Sequence, residues 1–180
     1  MRLPLLGRTP CLSIYYDAQN EWLFLDWEGD LTLSDVQHAC LALADCFLPR
    51  PYARVLNSNA QVTGMSWSVA AWLAGKFLPH LPLAGVEQLA WVCSPTMRGR
   101  NVVHTLINWL PGSILYSFDD LEDAVTWLQH LRPNRPPKTT PARSAATQAQ
   151  LEQELHRLRE KTACSRREPA CRRRHEQVTG

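Results

Sequence analysis

The chain has 180 residues, of which 45% are hydrophobic and 20% are charged, and this balance excludes a wholly disordered protein. The net charge of +2 hides an uneven distribution: residues 1–131 carry 7 Lys and Arg against 12 Asp and Glu, whereas residues 132–180 carry 12 against 5. All seven tryptophans precede residue 131. The sequence therefore predicts an acidic, Trp-rich globular domain followed by a basic tail.

The predicted domain begins with a β-hairpin and a helix. Cys11–Tyr16 and Glu21–Trp27 have the composition of strands, and the turn-rich stretch between them is short enough for a hairpin. Thr32 or Ser34 then caps an amphipathic helix that runs to about Leu48, where prolines end it.

The middle of the domain contains a short strand and an unusual helix. A buried strand is predicted over Arg54–Asn57, followed by a polar loop over residues 58–64 and a helix from about Ser66 to Leu78. At about 100° per residue, Trp67 falls on the core face of this helix and Trp72 projects away from it. The other residues expected on the core face are Ala70, Ala74, Phe77 and Leu78.

Two strand–helix units complete the domain. Val86–Cys93 is a strand, and Ser94-Pro95 has the form of an N-cap followed by proline at the first position of a helix reaching Leu110. Ser113–Phe118 is the last strand, and Asp119 caps the last helix. The order ββαβαβαβα predicts an α/β fold with a five-stranded mixed, mostly parallel sheet and helices packed on it. The domain occupies residues 11–131, after an N-terminal lead of residues 1–10.

The region beyond Leu131 has a different character. Residues 132–146 are a Pro-rich linker, residues 147–162 a short amphipathic helix, and residues 163–180 a flexible, basic, disordered tail. The helix has a narrow apolar seam made of Leu151, Leu155 and Leu158. An isolated helix of this length is marginal in water, so we predict that removing everything after Leu131 leaves the thermal midpoint nearly unchanged. The basic tail is suited to weak, nonspecific contact with nucleic acid through phosphate charge.

Targeting, redox and metal signals are weak. The apolar run Leu3–Leu6 is shorter than the roughly 7–15 residues of a secretory core, and no segment approaches the roughly 18 residues of a membrane span. We therefore expect a cytoplasmic protein whose six cysteines are thiols. Cys164, Cys171 and His175 lack the fourth ligand and the close spacing of a structural zinc site, so neither a metal nor a cofactor is expected.

Several short phrases of the domain are characteristic in combination. They are Trp22–Trp27 with Gly29, Val55–Asn59, Val62–Gly64, Trp67 with Trp72, Leu89–Pro95 and Phe118–Ala124. Together they resemble a bacterial family of STAS-like, or SpoIIAA-like, domains related to the anti-sigma factor antagonist fold, over about Leu12 to Leu131. The resemblance implies a small α/β domain used for regulation or binding, without an established enzymatic activity. It also implies that Ser58 is the topological equivalent of the serine that a partner kinase phosphorylates in the antagonists, although Asn57 replaces their aspartate.

The carboxyl ends of the parallel strands provide the candidate binding site, because ligands of open α/β sheets bind beyond these ends. The candidate residues are Asn57, Ser58, Asn59, Thr63, Trp72, Ser94 and Arg98. Parallel crossovers should bring the segments around Asn57 and Ser94 to the same edge of the sheet. The structural alternative is that the asparagines satisfy loop backbone and that Ser94 only caps a helix.

The sequence contains none of the phosphate-binding, dinucleotide-binding, metalloprotease or serine-hydrolase motifs. We therefore favour a non-enzymatic regulatory module that binds a protein partner or a small ligand, with self-association through Trp72 as a further expectation. The alternative is a small carrier or enzyme that holds an apolar or acyl ligand in a strand-end pocket. A third interpretation is a nucleic-acid-associated protein that works through its tail.

Overall fold

The computed structural model describes residues 3–94, 114–131 and 143–175, with side chains up to residue 163 in the last range. Within these residues, six strands form one sheet in the order β1-β2-β3-β4-β5-β6. The strands are β1 Leu5–Arg8, β2 Leu12–Asp17, β3 Trp22–Leu31, β4 Arg54–Met65, β5 Gln88–Val92 and β6 Leu115–Phe118. The helices are α1 Leu33–Phe47, α2 Trp67–Trp72, α3 Leu121–His130 and α4 Ala145–His175.

The strand directions confirm the predicted fold class. The first three strands pair antiparallel, and β3, β4, β5 and β6 are parallel neighbours. The β5 strand is apolar at nearly every position, which is typical of a parallel strand buried on both faces. The predicted helix from Ser94-Pro95 to Leu110 lies outside the described residues.

The sheet has one strand more than the predicted five. Leu5–Arg8, inside the predicted lead, forms the edge strand β1 and pairs with β2 through Leu5↔Tyr15 and Arg8↔Ser13. This strand has four residues and its two leucines are exposed, so no alternation of buried and exposed positions announces it in the sequence. An edge strand needs a neighbour on one side only, and β2 provides it.

The predicted polar loop over residues 58–64 is wrong, because β4 continues without interruption to Met65. Its second half pairs with the equally extended end of β3, from Glu28↔Gln61 to Leu31↔Met65, with one shift of register just before this stretch and one within it. Gly64 allows this approach, since a Cβ atom there would overlap the carboxylate of Asp30. Pairing with a neighbouring strand has overridden a composition that favours a loop.

Two helix caps are assigned by their hydrogen bonds. Thr32, rather than Ser34, caps α1: its Oγ1 accepts from the backbone N–H of Asp35 at 3.2 Å. The last predicted cap is displaced by one residue, because the carboxylate of Asp120 accepts from the N–H of Asp123 at 2.8 Å. The short local patterns thus located each helix start to within a residue or two.

The helix after β4 does not have one continuous phase. The α2 helix is followed by a π-helical turn, Leu73–Phe77, and a 3₁₀ turn, Leu78–His80. Trp67 is 55% exposed, so its predicted core position is wrong, whereas Trp72 packs partly buried and stacks on Phe77. Val69 and Ala70, the buried residues of α2, lie about 160° and 60° from Trp67 at about 100° per residue, so Trp67 falls outside the buried face of this helix. The other predicted core residues, Ala70, Ala74, Phe77 and Leu78, are buried.

Helices cover both faces of the sheet, and the sheet separates the core into two apolar clusters. The α1 face, covered by α1 and α2, holds the larger apolar cluster, which includes Val36, Val55 and Phe77. The α3 face holds a smaller cluster beneath α3. The buried members of this smaller cluster are Trp22, Leu56, Ala90, Val92, Ala124 and Leu128.

The predicted leucine seam packs against the domain. Leu151, Leu155 and Leu158 are buried and belong to the core of the α1 face. The α4 helix starts two residues earlier than predicted and continues to His175, well into the segment expected to be disordered. This packing contradicts the expectation that everything after Leu131 is dispensable for stability.

No described helix is long and apolar enough to cross a membrane.

Arg143 attaches the start of α4 to the end of α1. Its Nη2 donates to the carbonyl oxygens of Phe47 at 2.6 Å and Ala84 at 2.9 Å. Its Nη1 donates to Leu48 O at 3.4 Å and to the side-chain oxygen of Gln148 at 2.8 Å. The last carbonyls of a helix have no partner within the helix, so an arginine at this position satisfies them and fixes α4 in place.

Candidate functional site

A cavity, here named the sheet cavity, lies on the α1 face between the sheet, α1 and the helical turns that follow α2. Its volume is about 30 Å³. Its walls are almost entirely apolar. The lining residues used below are Leu25, Trp27, Cys40, Asn57, Asn59, Leu73, Phe77, Leu81 and Trp91.

Asn57 is held in one orientation by a neighbouring indole. It is 3% exposed and occupies a central position of β4, paired with Leu25 on β3 and Trp91 on β5. The Nε1 of Trp27 donates to Asn57 Oδ1 at 2.8 Å. An indole nitrogen can only donate, so the amide cannot be flipped, and its Nδ2 remains as the free donor. This Nδ2 has no hydrogen-bond partner among the described residues.

Trp91 presents a second unpaired donor next to the first. It is 5% exposed and lines the sheet cavity from the position on β5 directly beside Asn57. Its Nε1 has no partner in the described part of the chain. Leaving a buried donor without a partner costs about 1–3 kcal/mol, and such groups in a native protein call for an explanation. Neither Trp27 nor Trp91 was among the predicted site residues. The signal in the sequence was the two-residue period of β3, which puts Trp27 on the same face as Leu25.

Asn59 and Ser94 join β4 to β5 rather than offering free groups to a ligand. The Nδ2 of Asn59 donates to Val92 O at 3.0 Å, and the Oγ of Ser94 donates to Val62 O at 2.6 Å. The two strands therefore end at the same edge, as parallel crossovers require. Both residues have structural roles, but not those of the structural alternative: Asn59 lies in a strand rather than a loop, and Ser94 bonds a strand carbonyl. Asn59 also lines the sheet cavity.

Ser58 lies inside β4 and is 2% exposed, so it does not occupy the strand end that the resemblance assigned to it. It pairs with Asp26 of β3, and a hydrogen bond from its hydroxyl favours the ionised form of the Asp26 carboxyl. Burial nevertheless raises the pKa of Asp26, with the charge of Glu28 as a second cause. A phosphate on Ser58 would meet this acidic neighbour and would need β4 to open.

The remaining predicted site residues are dispersed. Thr63 is exposed near the end of β4. Trp72 does not line the sheet cavity but stacks on Phe77, which does, with ring centroids 6.1 Å apart. Arg98 lies outside the described residues. Of the predicted site, the structure therefore brings Asn57 and Asn59 together at the cavity and places Ser94 beside them.

The described lining of the sheet cavity carries no charged side chain. Its one thiol, Cys40, is fully buried, and this burial raises its pKa well above the ordinary value, so that it stays protonated. Neither a nucleophile nor a general acid or base is therefore available in this lining. Within the described residues, no group of three His, Cys, Asp or Glu side chains could hold a metal ion.

Comparison with solved structures finds a protein of similar fold. The chain is similar to a structure from Shewanella loihica PV-4, a protein of the DUF3478 family with a SpoIIAA-like fold. The two share 19% sequence identity, the match covers 68% of this chain and 99% of that chain, and the TM-score is 0.48. No family model and no curated protein matches the chain.

Proposed function

We propose that the chain is a non-enzymatic regulatory module that binds one small, largely apolar molecule in the sheet cavity. The observation that carries this proposal is the buried Asn57 amide, held by Trp27 with its Nδ2 unpaired in an otherwise apolar cavity. Apolar pockets with a few well-placed polar groups are the usual form of small-molecule sites. The Trp27 bond accounts for Asn57 Oδ1 but not for the buried Nδ2, and a ligand with an acceptor atom would satisfy that donor.

The chemistry of the lining favours binding over catalysis. Acid–base and covalent catalysis both need a group that changes its protonation or attacks the substrate. Cys40, the one candidate in the described lining, is kept neutral by burial. A molecule in the sheet cavity would therefore be held and released unchanged.

The size of the cavity favours a small molecule over a long acyl chain. In this measure of volume, one water molecule needs about 10–15 Å³. The sheet cavity, at about 30 Å³, has room for only a few heavy atoms. A carrier of long acyl chains would need the α1 face to open, so the carrier interpretation has less support than a module for small ligands.

A second cavity suggests how binding would be sensed by the rest of the molecule. It has a volume of about 20 Å³ and lies beneath α4, where Leu151, Leu155 and Leu158 form one wall. Phe47, Phe77 and Leu81 line both cavities. A ligand that displaces one of these side chains would change the surface against which α4 packs. Occupancy of the sheet cavity and docking of α4 are thus proposed to be coupled.

Xenon tests whether the sheet cavity accepts an apolar guest, because it enters dry cavities without needing hydrogen bonds. The full-length protein, labelled on its leucine methyl groups, is placed under xenon pressure and followed by NMR. We expect saturable shifts for Leu25, Leu73 and Leu81, which line the cavity, and none for Leu56 and Leu128 on the α3 face.

Two cysteine variants provide a matched control for this experiment. Cys40→Leu adds a larger side chain to the lining and should abolish the xenon shifts, whereas Cys11→Leu, buried outside that lining, should leave them intact. Absence of shifts in the natural protein, or equal shifts on both faces of the sheet, would refute the proposed function.

A further inference from the structure

Two unpaired donors share one wall of the sheet cavity. Asn57 Nδ2 and Trp91 Nε1 belong to directly paired positions on adjacent strands, and both side chains are more than nine-tenths buried. Asn57 Oδ1 is already occupied by Trp27, so the amide contributes a donor and no free acceptor. Both unpaired groups are donors, so a ligand that pairs with them must carry an acceptor atom.

We propose that the molecule bound in the sheet cavity is a small neutral compound with a carbonyl oxygen, such as a short ketone or ester. This inference rests on the proposed function and names the class of its ligand. A carbonyl oxygen has two lone pairs and can accept from two N–H groups. Asn57 and Trp91 occupy paired positions on adjacent strands, and both residues line the sheet cavity.

Charge separates this ligand class from a carboxylate, which would offer the same acceptor oxygens. The described lining has no cation to balance a buried negative charge. Burying an unpaired charge is far more costly than burying a neutral polar group that is hydrogen-bonded. A neutral carbonyl therefore suits the sheet cavity better than a carboxylate.

The experiment compares three compounds of similar size on the full-length protein. Butanone carries the neutral carbonyl, 2-methylbut-1-ene replaces its oxygen by carbon, and butyrate adds a charge. The readout is the indole N–H resonance of Trp91, identified by its disappearance in Trp91→Phe. We expect butanone to move this resonance downfield and saturably, with the indole of Trp127 on the α3 face unchanged. The alkene and butyrate should bind at least about tenfold more weakly, the ratio that one hydrogen bond provides.

The same variant supplies the internal control. Trp91→Phe should weaken butanone about tenfold more than it weakens 2-methylbut-1-ene, because both compounds experience the smaller ring but only butanone loses a hydrogen bond. If the alkene binds as tightly as butanone, or if the Trp91 resonance does not move, the ligand class is wrong and the apolar cavity still stands. If a long-lived water contacts the Trp91 N–H and butanone does not displace it, the donors serve water only and the inference is overturned. The xenon experiment then judges the proposed function separately.

Discussion

The two faces of the sheet treat buried polar groups differently, although they share the strand β4. Arg54 and Ser58 of this strand belong to the α3 face, and both are hydrogen-bonded within the protein. Asn57 lies on the α1 face, where one of its two polar atoms is unpaired. Among the described residues, no buried side-chain atom lacking a partner lies on the α3 face. The unpaired donors on the described strands, Asn57 Nδ2 and Trp91 Nε1, therefore both lie on the α1 face.

The covering of the two faces differs as well. The α3 face is covered by α3, which follows β6 directly in the chain. The α1 face is covered by α1 and α2 and, from far along the chain, by α4. The face with the unpaired donors thus depends on a distant segment for part of its wall. The following predictions test this contrast, from the largest expected effect to the smallest.

Ending the chain after Leu131 should be the most damaging change. It removes the three buried leucines of α4 and the Arg143 contacts to the end of α1. Burial of one leucine contributes about 1.5–3 kcal/mol, so we expect a loss of at least about 3 kcal/mol and a fall of more than about 5 °C in thermal midpoint. Ending the chain after Ala163 keeps all three leucines and should change the midpoint little. Equal midpoints for the two truncations would contradict the packing of α4.

Arg54→Met tests the α3 face. The Nη1 of Arg54 donates to Leu128 O at 3.1 Å, and its Nη2 donates to Asn20 O. Losing charged donors from buried carbonyls should cost about 2–3 kcal/mol in urea unfolding. Arg50→Met, which removes an exposed guanidinium stacked on two tyrosine rings, should cost less than about 1 kcal/mol. Xenon shifts on the α1 face should survive both substitutions; their loss in Arg54→Met would mean that the faces are not independent.

A matched pair of indole substitutions compares a paired donor with an unpaired one. Trp27→Phe breaks the bond to Asn57 Oδ1 and leaves that oxygen buried without a donor, whereas Trp91→Phe removes a donor that has no partner. The loss of indole volume is common to both. We expect Trp27→Phe to be more destabilising by about 1–3 kcal/mol in urea unfolding. Equal losses would show that the Trp91 N–H is satisfied in solution.

Trp67→Ala should have a small effect, because this side chain is 55% exposed. We expect a loss below about 1 kcal/mol in chemical denaturation. Phe77→Ala, ten residues later and buried, is the comparison and should cost about 3–5 kcal/mol. A large loss in Trp67→Ala would restore the core position first predicted for this side chain.

Asp26→Asn should produce the smallest effect, visible in the pH dependence of stability. Burial raises the pKa of Asp26 in the folded protein, so protonation favours folding at low pH and this contribution is lost as pH rises through the raised pKa. The variant cannot lose it, so its stability relative to the natural protein should grow as pH rises above about 3.9, the value of an unfolded aspartate. Urea unfolding from pH 4 to 7 measures the difference. Ser58→Ala should raise the pKa of Asp26 further, as seen by NMR titration.

Local patterns in the sequence predict much of the fold. The alternation of strands with helices implies parallel neighbours, and the Thr32 cap starts α1 where expected. These features depend on residues close together in the chain, through hydrogen bonds within a turn or the two-residue period of a strand. For such features the amino-acid sequence alone carries the information.

Other features are decided by contacts between distant segments. The β1 strand and the second half of β4 exist because a neighbouring strand pairs with them. The α4 helix is held by packing against the core, which its narrow leucine seam does not predict by itself. The unpaired donors of Asn57 and Trp91 become visible only in the folded structure. There the two residues pair on adjacent strands, and Trp27 occupies Asn57 Oδ1. Composition tells which residues can donate a hydrogen bond, but only tertiary packing determines which donors are left without a partner.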